Sequence, residues 1–172
     1  MGEKELRDLI PIQAEWSIPQ LQENLAVALE GSGAALSTTQ TQTKQVANEV
    51  ALVVNTSGST GDSKSVVLSS AALIASANAS HKYLGATPGD SWSLLLPTTH
   101  IAGLNVIVRA TALGSRVIDN RNTENYVDAD FVSIVPTQLY KALTSNSKLL
   151  EHLTAAEAVL DREATISDKI KK

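Results

Sequence analysis

Apolar residues recur every three or four positions in several segments of the chain, and short apolar runs separate these segments. In the first such segment, 17–30, leucines repeat at i+4 from Leu21 onward. Ser17 and Gln20 have the spacing of a capping box, and Gly31 is suited to end a helix. The pattern therefore predicts an amphipathic helix over 17–30.

Short β-branched runs bounded by polar residues indicate buried strands farther along the chain, and helical patterns follow several of them. The predicted strands lie at 50–54, 66–68, 92–96, 116–118 and 131–135. The predicted helices begin at Ser69 or Ser70, at Ile101 and at Pro136, and they end at Leu84, Leu113 and Leu143. Strands that alternate with such helices predict an α/β fold in which helices cover both faces of a mainly parallel sheet.

By contrast, the segment 32–45 consists largely of Gly, Ser, Thr and Gln. This composition is typical of exposed connections between elements. We therefore expect 32–45 to be a surface connection inside one domain that spans 1–172, since 172 residues fit a single domain or a large piece of one.

Composition limits the classes of function. Hydrophobic residues make up 43% of the chain and charged residues 19%, which suffices for a core and excludes an intrinsically disordered protein. The 14 Lys and Arg residues are scattered and are outnumbered by 18 Asp and Glu residues. Because nucleic-acid binding needs a clustered basic surface, we expect no nucleic-acid partner.

The absence of cysteine excludes disulfides, thiolate metal sites and cysteine nucleophiles. No pair of His or carboxylate residues has the spacing of metal ligands, so no metal site is assigned. The residues from Met1 to Ile12 lack the apolar core of a secretory leader, and no stretch approaches the ~20 apolar residues of a membrane span. These features predict a cytoplasmic protein without a membrane partner.

One polar segment directly follows the predicted strand 50–54. It combines five hydroxyl side chains, two glycines and a lysine in the order Thr56-Ser57-Gly58-Ser59-Thr60-Gly61-Asp62-Ser63-Lys64. Glycines let backbone N–H groups approach an anion, hydroxyls donate further hydrogen bonds, and the lysine adds a positive charge. The segment therefore suits a phosphate group, although a solvated hairpin loop has a similar composition.

The segment differs from two common nucleotide-binding loops. A Walker A loop has Gly directly before its Lys and a helix after it, whereas Ser63 precedes Lys64 and a strand is predicted next. No G-x-G-x-x-G pattern occurs in the chain, so the dinucleotide-binding fingerprint is missing as well.

Two further segments follow this one in the chain, Leu95-Leu96-Pro97-Thr98-Thr99-His100-Ile101-Ala102-Gly103-Leu104 and Val135-Pro136-Thr137-Gln138-Leu139. They resemble the L-P-x-x-H-x-x-G and V-P-T-x-L segments of the adenylate-forming enzymes, the superfamily of acyl-CoA synthetases, luciferases and peptide-synthetase adenylation domains. The twelve positions from Val53 to Lys64 resemble its phosphate-loop signature, with Ser63 where the family commonly has Pro. The resemblance covers about 48–145.

The resemblance implies a reaction and its ligands. Members of the superfamily couple a carboxylate to ATP with Mg²⁺, release pyrophosphate, and pass the acyl group to the thiol of coenzyme A. The residues that would bind the ATP phosphates are Thr56, Ser57, Gly58, Ser59, Thr60, Gly61 and Lys64. Because this loop would orient and neutralise the phosphates, no residue is assigned as a catalytic acid or base.

Within the superfamily, the chain is most similar to the o-succinylbenzoate–CoA ligases of menaquinone biosynthesis, which have an Arg nine residues after the His of the second segment. Those positions are His100 and Arg109, so the resemblance implies that both bind the acyl substrate. Arg109 also lies among apolar neighbours in the predicted helix, and a buried guanidinium needs an anion or several acceptors. The alternatives are an Arg109 that pairs with Asp119, Asp128 or Asp130 or reaches solvent, and a His100 that only caps the helix.

The chain also departs from the family pattern. The resemblance implies a strand at 158–160, after which the family has a Gly-Gly-Ala turn that binds adenine. This chain continues instead with Asp161-Arg162-Glu163-Ala164-Thr165, and no Y-G-x-T-E or T-G-D string occurs. We therefore expect an N-terminal portion of an adenylate-forming large domain, without the Mg²⁺ ligand or the C-terminal domain, that is inactive alone. Two alternatives are a stand-alone module that binds phosphates or nucleotides, and a homo-oligomer formed through an exposed sheet edge.

Overall fold

A computed structural model describes residues 5–57, 63–161 and 164–165 of the chain. The strands in these ranges are β1 (Leu6–Pro11), β2 (Ala35–Ser37), β3 (Gln45–Ala47), β4 (Val50–Ser57), β5 (Ser63–Ser69), β6 (Ser91–Leu94), β7 (Arg116–Asp119), β8 (Phe131–Ile134), β9 (Ala158–Asp161) and β10 (Ala164–Thr165). The helices are α1 (Ile18–Glu30), α2 (Ser70–Leu84), α3 (Ile101–Leu113), α4 (Pro136–Thr144) and α5 (Ser147–Ala155). The predicted α/β class is confirmed.

The strands form two five-stranded sheets. The first sheet has the order β3-β1-β2-β4-β5, and the second has the order β10-β9-β8-β6-β7. In the first sheet β1, β2 and β4 are parallel, while β3 and β5 run antiparallel at its two edges. In the second sheet β7, β6, β8 and β9 are parallel, and β10 returns antiparallel beside β9. The strands are thus mainly parallel, but they are divided between two sheets.

Three helices lie between the two sheets and bury the main core. Helix α1 contacts β2 and β4 of the first sheet and β7 of the second, while α3 packs on β6 and β7. Helix α2 packs against both α1 and α3. At the centre, Trp92 of β6 packs against Phe131 of β8 with ring centroids 4.8 Å apart and ring planes tilted by 36°, and both rings are buried. Helices α4 and α5 bury their apolar faces against the opposite face of the second sheet.

Local sequence signals set the ends of the central helices. Ser17 caps α1: its Oγ accepts a hydrogen bond from the Gln20 backbone N–H, and its own backbone N–H donates to the Oε1 of Gln20. The predicted capping box is therefore present. Gly31 adopts a left-handed conformation with φ of 79° and ends the helix as predicted. Ser69 in turn caps α2 by accepting a hydrogen bond from the Ala72 backbone N–H.

The prediction that 32–45 is only a surface connection is wrong. Its residues Ala35–Ser37 form β2, a fully buried strand between β1 and β4. Strand β1 and helix α5 were likewise not predicted. The strand predicted at 158–160 is present as β9 and includes Asp161; Arg162 and Glu163, where the family has its adenine turn, lie outside the described residues.

Candidate functional site

A cavity of about 290 Å³ opens at the carboxyl ends of the parallel strands of the second sheet. Leu96 follows β6, Val135 follows β8, and Leu160 lies near the end of β9. Ligands of parallel α/β sheets bind at this edge, where loops and helix starts present polar groups. The polar side chains that line the cavity are Ser76 of α2, Asn105 and Arg109 of α3, and Ser133 of β8.

Hydroxyl groups from two other elements hold the guanidinium of Arg109. Its Nε donates to the Oγ of Ser80 on α2 at 3.3 Å, and Nη1 donates to the Oγ of Ser133 on β8 at 3.4 Å. Burial lowers the pKa of Arg109 from its ordinary value. Because neutral hydroxyls do not balance a positive charge, the site favours an anionic ligand.

None of the three aspartates considered as alternative partners pairs with Arg109. Asp119 pairs with Arg121 at 2.8 Å, and Asp130 accepts bonds from the backbone and side chain of Ser91. Asp128 lies 4.0 Å from the ring of His152. Across residues 5–57 and 64–160, no carboxylate lies within salt-bridge distance of Arg109.

The backbone of α3 at Arg109 is also fixed by α2. The Nε2 of His81 lies 3.0 Å from the carbonyl oxygen of Arg109. Since a carbonyl only accepts hydrogen bonds, Nε2 carries the proton and donates. Burial lowers the pKa of His81, the hydrogen bond to the Arg109 carbonyl partly opposes this, and the charge of Arg109 lowers the pKa further, so the neutral form is favoured.

Gly103 allows α3 to approach the segment after β6. A Cβ at this position would overlap the Pro97 carbonyl and lie 2.8 Å from the carbonyl oxygen of Leu96. This close approach sets the distance between the first turn of α3 and the segment that follows β6. It also explains the glycine of the L-P-x-x-H-x-x-G segment in physical terms.

His100 is the N-cap residue of α3, but its side chain makes no capping hydrogen bond. The residue is exposed and does not line the cavity, whereas its neighbours Ile101 and Ala102 do. The structure therefore places His100 at the start of α3, outside the residues that line the cavity, and Arg109 in the cavity wall. It does not bring the two predicted substrate-binding residues together in one set of contacts.

The predicted phosphate-binding segment begins and ends in one hairpin. Thr56 and Ser57 end β4, and Lys64 lies in β5, where its Cα is directly opposite that of Thr56. Gly58, Ser59, Thr60 and Gly61 lie outside the described residues. The described strands thus bring the two ends of the segment together.

Sequence reasoning missed a buried polar cluster behind the second sheet. The Oγ of Ser93 on β6 lies 2.9 Å from the Nε2 of His152 on α5 and accepts a hydrogen bond from Asn120. The ring of Tyr126 stacks on His152. Ser93 is completely buried, so the cluster is closed to ligands and holds the elements around the sheet together. Strand alternation could have identified Ser93 as an inward polar residue, but not its partners.

The described ranges contain neither a metal-binding cluster nor a membrane-spanning helix. No group of three or more His, Asp or Glu side chains there is arranged to hold a metal ion. None of the described helices combines the length and apolar character that a membrane span requires.

Comparison with known proteins defines the class. The family model of the AMP-binding enzymes matches residues 4–165, and the chain belongs to this family. A probable 2-succinylbenzoate–CoA ligase of Mycobacterium tuberculosis is 40% identical over 131 residues, which are 69% of this chain and 32% of the relative. The 2-succinylbenzoate–CoA ligase of Salmonella typhimurium is 32% identical over 161 residues, which are 86% of this chain and 35% of the relative.

A solved structure supports the fold. An E. coli MenE variant with bound OSB-AMS superposes with a TM-score of 0.62 at 20% identity, covering 90% of this chain and 43% of that one. The chain spans about a third of the length of the curated relatives it matches.

Proposed function

We propose that this chain forms the acyl-substrate and ATP-phosphate binding region of an ATP-dependent o-succinylbenzoate–CoA ligase of menaquinone biosynthesis. The observation that carries the proposal is the guanidinium of Arg109, which lines a cavity at the carboxyl ends of the strands and whose side-chain partners within the described ranges are both hydroxyl groups. The names of the relatives agree with an anionic aromatic substrate.

In the proposed reaction, a carboxylate oxygen of the substrate attacks the α-phosphorus of ATP and pyrophosphate leaves. The thiolate of coenzyme A then attacks the acyl carbon, and AMP leaves. A substrate carboxylate held by Arg109 cannot also reach the α-phosphorus. We therefore assign Arg109 to the ring carboxylate of o-succinylbenzoate, which leaves the succinyl carboxylate to react. His100 stays assigned to the acyl substrate, because it directly precedes Ile101 and Ala102 of the cavity wall.

We assign binding of the ATP phosphates to Thr56, Ser57, Gly58, Ser59, Thr60, Gly61 and Lys64. The pairing of β4 with β5, which brings Lys64 opposite Thr56, supports it because a lysine at one end of such a loop can neutralise a phosphate bound between the ends. The described residues contain no cluster of carboxylates that could hold Mg²⁺. No step of the proposed reaction is therefore assigned to a metal ion bound by them.

Calorimetric titration with o-succinylbenzoate tests the acyl site. The wild-type chain should bind saturably, and Arg109→Ala should weaken binding at least about tenfold, since a charge-assisted hydrogen bond is lost. Arg116→Ala removes an exposed arginine outside the cavity and serves as the matched control. Equal affinities of wild type and Arg109→Ala would remove the basis for the proposal.

Titration with ATP and with pyrophosphate tests the phosphate site. Lys64→Ala should weaken both ligands, whereas Lys82→Ala, an exposed lysine on α2, should not. A further assay follows pyrophosphate release by the chain with ATP, Mg²⁺ and o-succinylbenzoate. We expect binding without turnover; measurable turnover would contradict the proposal that this portion alone is inactive. Binding of pyrophosphate but not of o-succinylbenzoate would favour a phosphate-binding module.

A further inference from the structure

Asn105 lies on the same face of α3 as Arg109, one turn closer to the start of the helix. Residues at i and i+4 are neighbours on a helix surface, with Cβ atoms about 5–6 Å apart. Both side chains line the cavity. A ligand group bound by one of them is therefore within reach of the other.

The amide of Asn105 is available to a ligand. The residue is half-buried, and its side chain makes no hydrogen bond to any residue within the part of the chain that the structure describes. Of the other polar side chains that line the cavity, Arg109 and Ser133 are bonded to each other through Nη1 and Oγ. An amide held at a cavity wall without a partner loses its hydration when a ligand enters, so it favours a ligand that replaces the lost hydrogen bonds.

The charge of Arg109 sets which end of the amide faces the ligand. The amide oxygen is the negative end of the side-chain dipole, so the positive guanidinium favours the amide orientation in which Nδ2 faces away from Arg109. An N–H pair in that position donates to an acceptor on the ligand. The acceptor has to lie next to the group that Arg109 binds.

We infer that Asn105 is a specificity-determining residue that donates a hydrogen bond from Nδ2 to a keto oxygen adjacent to the ring carboxylate of the substrate. The inference rests on the proposed function and adds to it the recognition of a 2-acylbenzoate rather than of any aromatic acid. In o-succinylbenzoate the ketone and the ring carboxylate are attached to adjacent ring carbons, so the pair matches two side chains one helical turn apart.

The test compares o-succinylbenzoate with 2-(3-carboxypropyl)benzoate, in which a CH₂ group replaces the ketone, by calorimetric titration of the wild-type chain and its variants. The wild type should bind the ketone about fivefold to tenfold more tightly, as expected for one hydrogen bond. Asn105→Ala should bind both compounds with affinities within about twofold of each other. Asn78→Ala, at an exposed asparagine of α2, should keep the wild-type preference.

A second variant guards against loss of structure in Asn105→Ala. Asn105→Asp keeps the shape but replaces the donor with a carboxylate beside Arg109, and it should bind both compounds more weakly than the wild type. Equal affinity of the wild type for both compounds, or a preference that survives in Asn105→Ala, would overturn the inference while leaving the proposed function standing if Arg109→Ala still loses binding. Failure of the wild type to bind either compound would overturn both.

Discussion

The Nε of Arg109 on α3 donates a hydrogen bond to the Oγ of Ser80 on α2 across 3.3 Å. The Ser80 hydroxyl itself donates to the carbonyl oxygen of Ser76, 3.1 Å away in the preceding turn of α2. With its proton used inside the helix, the hydroxyl presents a lone pair to Arg109. Helix α2 thus acts as an acceptor for the guanidinium and restricts its rotamers.

Removal of this acceptor should weaken binding of a carboxylate ligand. Ser80→Ala frees the Nε of Arg109, and part of the binding energy is then spent on ordering the side chain. We expect o-succinylbenzoate to bind about threefold to tenfold more weakly by calorimetry, with the melting temperature unchanged or raised because alanine favours a helix. Ser80→Thr should restore affinity. Ser147→Ala, at an exposed serine of α5, is the matched control; an unchanged affinity in Ser80→Ala would show that Arg109 is oriented without it.

A methyl group at Gly103 should displace α3. The clash in Gly103→Ala falls on the backbone carbonyls of Leu96 and Pro97, which cannot rotate away as a side chain does. We expect a loss of about 3 kcal/mol in the free energy of unfolding, measured by urea denaturation.

The control for this prediction is Gly114→Ala. Gly114 has a φ of 67° and nothing within 4 Å of an added Cβ, so only backbone strain of about 1–2 kcal/mol is expected. A smaller loss in Gly103→Ala than in Gly114→Ala would contradict the close packing described for α3.

Stability should fall as the pH drops below about 6.5. Burial lowers the pKa of His152, an effect that Asp128 partly opposes, and burial also lowers the pKa of His81. The unfolded chain therefore takes up these protons at a higher pH than the folded chain does, and the free energy of unfolding decreases as the pH falls from 7 toward 5. Urea denaturation across this range measures the slope.

A histidine variant isolates one contribution. His152→Gln keeps an amide nitrogen near Ser93 but does not titrate, so its slope between pH 7 and 5 should be shallower than that of the wild type. Asp119 and Asp130 have lowered pKa values through their hydrogen bonds to Arg121 and Ser91. Their stabilising effect is present above about pH 4 and is lost only below that pH, which is outside the range from pH 7 to 5 in which the histidines titrate. If the free energy of unfolding of wild type and variant fell equally steeply with pH, His152 would not be the source of the pH dependence.

The edge strand β5 should mediate self-association between two copies of the chain. It lies at the end of the first sheet and carries Val66 and Val67, which are 40% and 56% exposed. Unpaired edges with exposed apolar residues favour strand addition. Light scattering at increasing concentration should show a rising mass, which Val67→Lys should reduce. Val127→Lys, at an exposed valine outside β5, is the control; a monomer at all concentrations would contradict the prediction.

The parts of the fold that the sequence predicts are those with local signals. The capping box of Ser17 and Gln20 and the glycine at 31 define α1 within one residue, and α3 coincides with its predicted bounds. Strand β2 was missed because it has only three residues, and pairing with β1 and β4 rather than composition makes it a strand. The division into two sheets likewise depends on contacts between distant segments.

Only part of the candidate site could be predicted from the sequence, because several of its contacts also join distant segments. Arg109 is conspicuous in an apolar helix, and its place in the cavity wall agrees with the prediction that it needs an anion or several acceptors. Asn105 gave no comparable signal, because a half-buried asparagine in a helix is ordinary until the cavity beside it is seen. Ser80 and Ser133 come from other elements, so their contacts with Arg109 follow only from the tertiary arrangement.

The first sheet is built wholly from residues 6–69 and the second wholly from residues 91–165, while the helical layer between them takes α1 and α2 from one side of the connection and α3 from the other. A nick in the connection between Leu84 and Ser91 would therefore yield two pieces, each with the described strands of one sheet and with one side of the apolar contact between α2 and α3. Such pieces are suited to fragment complementation, in which the helices α2 and α3 provide the recognition surface.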